Sequence, residues 1–399
     1  MFCKAIGVGS SVRELSARVI MDALVSFPTV SHDTNVPLVD WVEAYLTDLG
    51  VTEHRHVKPD EPNKHAIFCS VGPDVPGGVV LSGHTDVVPI EGQDWSSDPW
   101  TVTERDGKLF GRGTCDMKGF DALALHALQR AVTSDLKRPL QIALSYDEEI
   151  GCAGAPPLIA AMAEAGLPTA EAAIIGEPSM LACVTGHKGS VSFNLHIKGF
   201  EVHSSLMHTG VSAIHEAARL IDWANQRNAE SQSKTPSQIA SIFNPPWTTL
   251  HVGKIRGGTA HNITAGDCRF VMEMRFVPDD DTTGWVDALR AEISAVPAQM
   301  QAIAPPAQIV VIQGAGVPGL VPEDHGVAEG LVRRMTGDNA DHVVSYGTEA
   351  GHFQTAGISA VICGPGNIEQ AHQADEFISL EQFAAGEKFL AKVVDSLCD

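Results

Sequence analysis

Seven residues with the chemistry of metal ligands and proton carriers follow or flank apolar runs: His84, Asp86, Asp116, Glu148, Glu149, Glu177 and His372. His84 and Asp86 leave the run Gly78–Leu81 (GVVL) within SGHTDVVP, Ser82–Pro89. Two apart on extended backbone, they share one side. A histidine with a carboxylate nearby is how a protein builds a metal ligand and the partner that fixes its tautomer. The plainer alternative is a strand-end histidine hydrogen-bonded to a local Asp. Leu140–Ser145 (LQIALS) delivers Tyr146–Asp147–Glu148–Glu149, and Ala172–Ile175 delivers Gly176–Glu177–Pro178–Ser179. Three consecutive acids are costly if buried without a countercharge, and otherwise make a solvated loop. Asp116 precedes an Ala- and Leu-rich run, where a carboxylate is also an ordinary N-cap. The signal is the convergence. Three apolar strands each end in metal-capable residues, and strand C-termini of one parallel sheet lie along one edge, where open α/β sheets place ligands.

Two histidines (84 and 372) and three carboxylates (116, 149 and 177) are enough for two metal ions. One carboxylate must then bridge ions about 3.5–4 Å apart. Nitrogen and oxygen donors without thiolate fit Zn²⁺, with Co²⁺ or Mn²⁺ as alternatives. Glu148 is left over beside a ligand, and a non-ligating carboxylate next to activated water is a natural general base.

These residues need a scaffold. A chain of 399 residues, 44% hydrophobic, holds two or three domains, and 37 glycines with only 6% aromatics suit α/β architecture with many tight turns. Helical spacing predicts helices over Ser11–Phe27, Val36–Gly50, Gly119–Ser134, His325–Thr336 and Leu380–Leu397. Strands are predicted at Ala66–Val71, Gly78–Leu81, Leu140–Ser145, Ala172–Ile175 and Gly357–Cys363. Between Ser179 and residue 314 the pattern changes to alternating strands. Ser190–Lys198, helix Ala213–Gln226, Thr248–Ile255, Cys268–Phe276, helix Thr282–Val296 and Gln308–Gln313 read as βαββαβ, the ferredoxin-like order. Ser231–Pro246 reads as a surface loop. The expectation is a mixed, mainly parallel sheet with helices on both faces, in two parts (1–183 and 315–399), and an inserted α+β domain (184–314).

Formal net charge is −22, with 49 acidic and 27 basic residues and no long basic run. Nucleic acid and anionic membrane are therefore poor partners. No stretch approaches the roughly 20 apolar residues of a membrane span, and the N-terminus lacks a signal-peptide core. The eight cysteines, at 3, 69, 115, 152, 183, 268, 363 and 398, form no CxxC. Scattered single cysteines fit a reducing cytoplasm. No G-x-G-x-x-G follows the first strand, which argues against a dinucleotide-binding oxidoreductase.

In order, SGHTDVVP, GRGTCDMKG, DEEIG, GEPS, HSS and a late GPG with QAH make the chain resemble, over nearly its whole length, the co-catalytic zinc peptidase and deacylase family. Aminoacylase and succinyl-diaminopimelate desuccinylase belong to that family. The resemblance implies that His84 and Glu177 hold one metal, that Glu149 and His372 hold the other, and that Asp116 bridges. It further implies that Asp86 orients His84, that Glu148 takes the proton from water, and that the Asp116–Met117 peptide is cis. The inserted domain would be a lid that also forms a homodimer. His203, in Glu201–Ser205, would reach the partner subunit's site to stabilise an oxyanion. Without the family match it reads as an exposed loop histidine. Asn262 and Arg275 resemble substrate-binding lid residues, although Arg275 suits a surface ion pair equally well.

Phe27–Ser31, Pro245–Gly253, Gly257–Ala260, Gly347–Ala350 and Gly364–His372 point, within the family, to a deacetylase of a small N-acyl amino acid. Glu349 is expected to select a cationic side chain. Gly351–His352, His261 and Thr264–Gly266 depart from the family's pattern near the presumed substrate end. A relative acting on another acyl-amino acid or a dipeptide is the alternative. A catalytically dead dimeric binding protein is a further one, opposed by the presence of all five ligands and Glu148.

Overall fold

The structure, a computed structural model, describes Glu14–Asp399. Ser11–Arg13 of the first predicted helix, and Cys3, lie outside the described residues. In chain order the main strands are β1 (Glu53–Val57), β2 (His65–Val71), β3 (Gly78–His84), β4 (Leu140–Ser145), β5 (Ala170–Pro178), β6 (Gly189–Lys198), β7 (Thr249–Gly257), β8 (Asp267–Phe276), β9 (Gln308–Val317) and β10 (Ser359–Gly364). The chain divides into two units. One holds the described residues up to Thr185 with Glu323–His342 and Thr348–Asp399; the other holds Gly186–Pro322 with Val343–Gly347.

The first unit is built on a sheet of order β1-β2-β4-β3-β5-β10, with two short strands beyond β10. β4, β3, β5 and β10 run parallel, and β2 and β1 add antiparallel strands at one side. Every residue of β3 is buried, as expected of a parallel strand covered on both faces. The helix Lys118–Val132 lies on β3 and β4 and packs against Ala17–Val25 and Leu380–Ser396. Ile20, Leu24, Phe120, Leu123, Leu390 and Val394 join one core. This is the mixed, mainly parallel α/β sheet that the apolar runs predict. Several elements escape the pattern, and two show why. The polar edge strand β1 (EHRHV) has no buried face to announce it. The helix Ala155–Glu164 opens with prolines in its first turn, where a missing N–H costs no hydrogen bond.

The second unit has a four-stranded sheet of order β7-β8-β6-β9, all antiparallel, with the helices Ala213–Ser233 and Thr282–Ile303. That is the ferredoxin-like order. Strict alternation buries Phe193, Leu195 and Ile197 of β6 with Phe270, Met272 and Met274 of β8. The second helix runs past Pro297 because Leu289, Ile293, Val296 and Met300 continue one buried stripe. The predicted loop Ser231–Pro246 carries a short 3-10 turn, Ala240–Ile242, and buries Ala240 and Phe243 beside Val277. No helix among the described residues is long and apolar enough to cross a membrane.

Candidate metal centre

His84 ends β3 and pairs with Ser145, the end of β4. Asp86 and Asp147–Glu149 therefore leave two adjacent parallel strands at one level. On the other side Ser82 pairs with Ile175 of β5, so Glu177, two residues on, comes level with His84. Gly176 makes room for the neighbouring helix: a Cβ there would lie 2.0 Å from Phe120 Cδ1. Asp116 sits in the loop before Lys118–Val132, and its peptide bond to Met117 is cis, as the resemblance implies. Met117 occupies the helix N-cap without a side-chain hydrogen bond, so the Asp116 carboxylate is not spent on capping.

Asp116 divides its two oxygens. Oδ1 is 3.1 Å from His84 Nε2, and Oδ2 is 3.2 Å from His372 Nε2. His372 Nε2 also lies 3.0 Å from Glu149 Oε2, and His84 Nε2 lies 3.7 Å from Glu177 Oε1 and 4.0 Å from Glu148 Oε2. The ligand-capable atoms of His84, Glu148 and Glu177 all fall within 4.8 Å of one another, as do those of His84, Asp116 and Glu149. All six residues predicted as ligands or base thus meet in one place, with Asp116 between the two histidines.

Asp86 reaches His84 by a different atom from the one expected. His84 Nδ1 lies 2.9 Å from the Asp86 main-chain carbonyl oxygen, whereas the carboxylate is 3.7 Å away, beyond hydrogen-bond range. The Asp86 carboxylate instead accepts from the Glu148 amide (3.1 Å), the Glu149 amide (3.3 Å) and Ser31 Oγ (2.6 Å). It fixes the turn from which the two glutamates diverge. The first acid of that run, Asp147, is neutralised by Lys58 at 2.8 Å and Lys64 at 3.0 Å. Cys152 Sγ donates to Glu148 Oε1 at 3.1 Å.

Glu376 has no counterpart among the predicted site residues. Its carboxylate accepts from the amides of Gly113, Cys115 and Asp116 at 2.9–3.0 Å and pairs with Arg112 at 2.7 Å. It clamps the Asp116 loop from about two-thirds of the chain away, and only its acidic type was visible in sequence. Glu349 is 1% exposed, and its two oxygens accept from Ser82 Oγ (3.2 Å) and Ser145 Oγ.

The electrostatics call for a cation. Among the described residues, the ion pairs of Asp116, Glu148, Glu149 and Glu177 are made only with His84 and His372. Burial pushes Glu148 up to about 8, with Glu149, Glu349 and Asp116 adding to the rise against His84. Burial, then Asp116, pushes Glu149 up to about 7. Glu177 is driven well above the usual carboxylate range, chiefly by burial. Asp116 goes the other way: burial opposes, but hydrogen bonds from His372 and His84 outweigh it. Hydrogen bonds to Asp116 and Glu149 raise His372 to about 10. Glu149 Oε1 is buried with no hydrogen-bond partner. Four nearly buried carboxylates, two imidazoles and an orphaned carboxylate oxygen fit divalent cations bound by nitrogen and oxygen.

The remaining predicted residues lie in the second unit. His203 is exposed, its Nδ1 2.8 Å from Ser205 Oγ. Asn262, also exposed, accepts at its main-chain oxygen from the Ser204 amide, so the two are neighbours. Arg275 on β8 pairs with Glu273 at 2.7 Å and donates to the Ser345 carbonyl at 3.3 Å.

A mainly parallel sheet with two histidines and four carboxylates gathered at its strand ends defines a class. Residues 80–396 match the Peptidase family M20/M25/M40, and the chain belongs to that family. More particularly, it is similar to acetylornithine deacetylase of Myxococcus xanthus, at 35% identity over 399 residues, covering 96% of this chain and 97% of that one. The acetylornithine deacetylase of Salmonella arizonae is 33% identical over 392 residues, covering 95% and 97%. The fold is shared with an M20 family metallo-carboxypeptidase from Sulfolobus solfataricus, at a TM-score of 0.78 and 14% identity over 96% of this chain and 99% of that one.

Proposed function

We propose that this protein is a metal-dependent hydrolase that cleaves the amide of N-acetyl-L-ornithine to acetate and L-ornithine. One observation carries the reading. Asp116 stands between His84 and His372 with one oxygen to each, and Glu148 lies beside them with one oxygen turned to the cluster. Likeness over nearly the whole chain to enzymes named acetylornithine deacetylase supports the substrate.

Two divalent cations, Zn²⁺ or Co²⁺, held by His84 with Glu177 and by Glu149 with His372 and sharing Asp116, would polarise the acetyl carbonyl and lower the pKa of water. Glu148 takes the proton from the attacking water and returns it to the leaving amine. Asp86 keeps Glu148 and Glu149 diverging, so that one carboxylate serves as base and the other as ligand. His203 is proposed to stabilise the oxyanion from a partner subunit, in a homodimer formed through the second unit. Asn262 and Arg275 are proposed to bind polar groups of the substrate. The seven described cysteines are all unpaired, which supports a reducing cytoplasm, and the substrate supports a role in arginine biosynthesis.

Glu349 is proposed to help select a cationic side chain; its burial favours one second reading, a deacylase of another N-acyl amino acid. Amine release from N-acetyl-L-ornithine, N-succinyl-diaminopimelate and N-acetyl-L-methionine separates the two. Each is assayed as purified, after chelation and after Zn²⁺ or Co²⁺ is restored. Metal-dependent turnover led by acetylornithine supports the first reading. Turnover led by another substrate keeps the site and discards that substrate.

A further inference from the structure

We propose that Cys152 is a positioning residue for Glu148, its thiol pinning one carboxylate oxygen so that the other faces the histidine cluster. The inference rests on the reading of Glu148 as the general base. Cys152 Sγ lies 3.1 Å from Glu148 Oε1, while Glu148 Oε2 lies 4.0 Å from His84 Nε2. An ionised carboxylate only accepts, so the thiol is the donor. The two oxygens are therefore inequivalent: one is engaged, and the other is open to a proton.

The backbone is arranged around this contact. The Glu148 carbonyl accepts from the amides of Gly151 (2.9 Å) and Cys152 (2.8 Å), and the Asp147 carbonyl accepts from Ala153 (3.1 Å). Residues 147–153 thus form a closed turn that brings Cys152 back over Glu148. Cys152 is 2% exposed and sits at φ 52°, the left-handed region that glycine occupies without penalty. A side chain is held where glycine would be easier, and its sulfur meets the group that moves the proton. Gly154, next but one, allows the return of the chain: a Cβ there would lie 2.1 Å from the Tyr146 carbonyl oxygen. A glutamate side chain has three rotatable bonds, and a base that must both take and return a proton works best when its rotamer is locked by its surroundings.

The test compares Cys152→Gly, Cys152→Ala and Cys152→Ser with the wild type and with Glu148→Gln. All are loaded with Zn²⁺ to equal content and assayed on N-acetyl-L-ornithine or N-acetyl-L-methionine, whichever the wild type hydrolyses. Cys152→Gly suits φ 52°, so folding is retained while the donor is lost. The Gly and Ala variants are expected to lose kcat by about 10- to 100-fold with KM little changed. Cys152→Ser, which keeps a donor, is expected to recover most of that loss. In a Glu148→Gln background, Cys152→Gly is expected to cause no further loss, because the thiol acts only through the carboxylate. Wild-type kcat in Cys152→Gly, beside an inactive Glu148→Gln, would overturn the proposal and leave Glu148 as base. A Ser variant no better than Ala would reduce Cys152 to packing. An active Glu148→Gln would remove the reading on which the proposal rests, and the proposal with it.

Discussion

Asp86 offers its main-chain oxygen to His84 and its carboxylate to the amides of Glu148 and Glu149, and Glu376 offers both of its oxygens to the loop that carries Asp116. At the scale of single residues, then, two carboxylates outside the proposed ligand set hold the backbone that carries the proposed ligands. Replacing such a partner commonly costs about 10- to 100-fold in metal affinity. Glu376→Gln turns an amide NH₂ toward either the Arg112 guanidinium or the amides of Gly113, Cys115 and Asp116. It is expected to lower Zn²⁺ affinity within that range in a competitive chelator titration; unchanged affinity would remove Glu376 from the account. Glu349 is tied to Ser82 and Ser145. As the proposed selector of a cationic side chain, its replacement in Glu349→Gln is expected to raise KM for acetylornithine more than for acetylmethionine; equal effects on both would sink that role. Residue types and their order were legible in the sequence. Which atom of Asp86 meets His84, and what Glu376 does from so far along the chain, were not, because hydrogen-bond partners are set by tertiary packing.

Among the elements, β3, β4 and β5 were legible because short apolar runs ending in acids or histidine suit buried parallel strands, and three of them converging favoured one sheet edge. The alternation in β6 and β8 announced the second unit equally clearly. The edge strand β1 and the helix Ala155–Glu164 were not legible, the one for want of an apolar face and the other behind its prolines. How closely the Lys118–Val132 helix presses on β5 was also beyond sequence reading, and it can be tested. At Gly176 a methyl group would meet the Phe120 ring at 2.0 Å, so Gly176→Ala must displace the ring or the strand. Overpacking of this kind costs about 1–3 kcal/mol. Urea unfolding is expected to show a lower midpoint at unchanged slope, with Phe120→Leu in the same chain recovering part of the loss. An unshifted midpoint would mean that the helix does not hold β5 in place.

For the whole molecule, the candidate metal centre is a concentration of negative charge within a chain of net charge −22. Without cations, Glu148, Glu149 and Glu177 are held above the usual carboxylate range in the folded state, at about 8 and about 7 for the first two. A group whose pKa is raised on folding stabilises fully below its unfolded pKa, and that stability is lost as pH rises through the folded value. The metal-free protein is therefore expected to lose stability as pH rises from about 4.5 to about 8. The two histidines act in the same direction above about 6.5, since both are raised. Bound cations should reverse the trend by favouring the ionised carboxylates, and their binding should raise Tm by mass action. Thermal melts of chelated and Zn²⁺-loaded protein at pH 5 and pH 8 check this. The expected gap between the two forms is wide at pH 8 and narrow at pH 5; an equal gap at both would contradict a site held together by its metals.

The proposed division of labour between the neighbours Glu148 and Glu149 is tested most directly by kcat and bound metal in Glu148→Gln and Glu149→Gln beside the wild type, on acetylornithine. Glu148→Gln should keep its metal and lose kcat by about 100-fold or more, and Glu149→Gln should lose metal as well as rate. A Glu148→Gln protein with near-normal kcat, or one that has lost its metal while Glu149→Gln has kept it, would contradict the assignment of base and ligand.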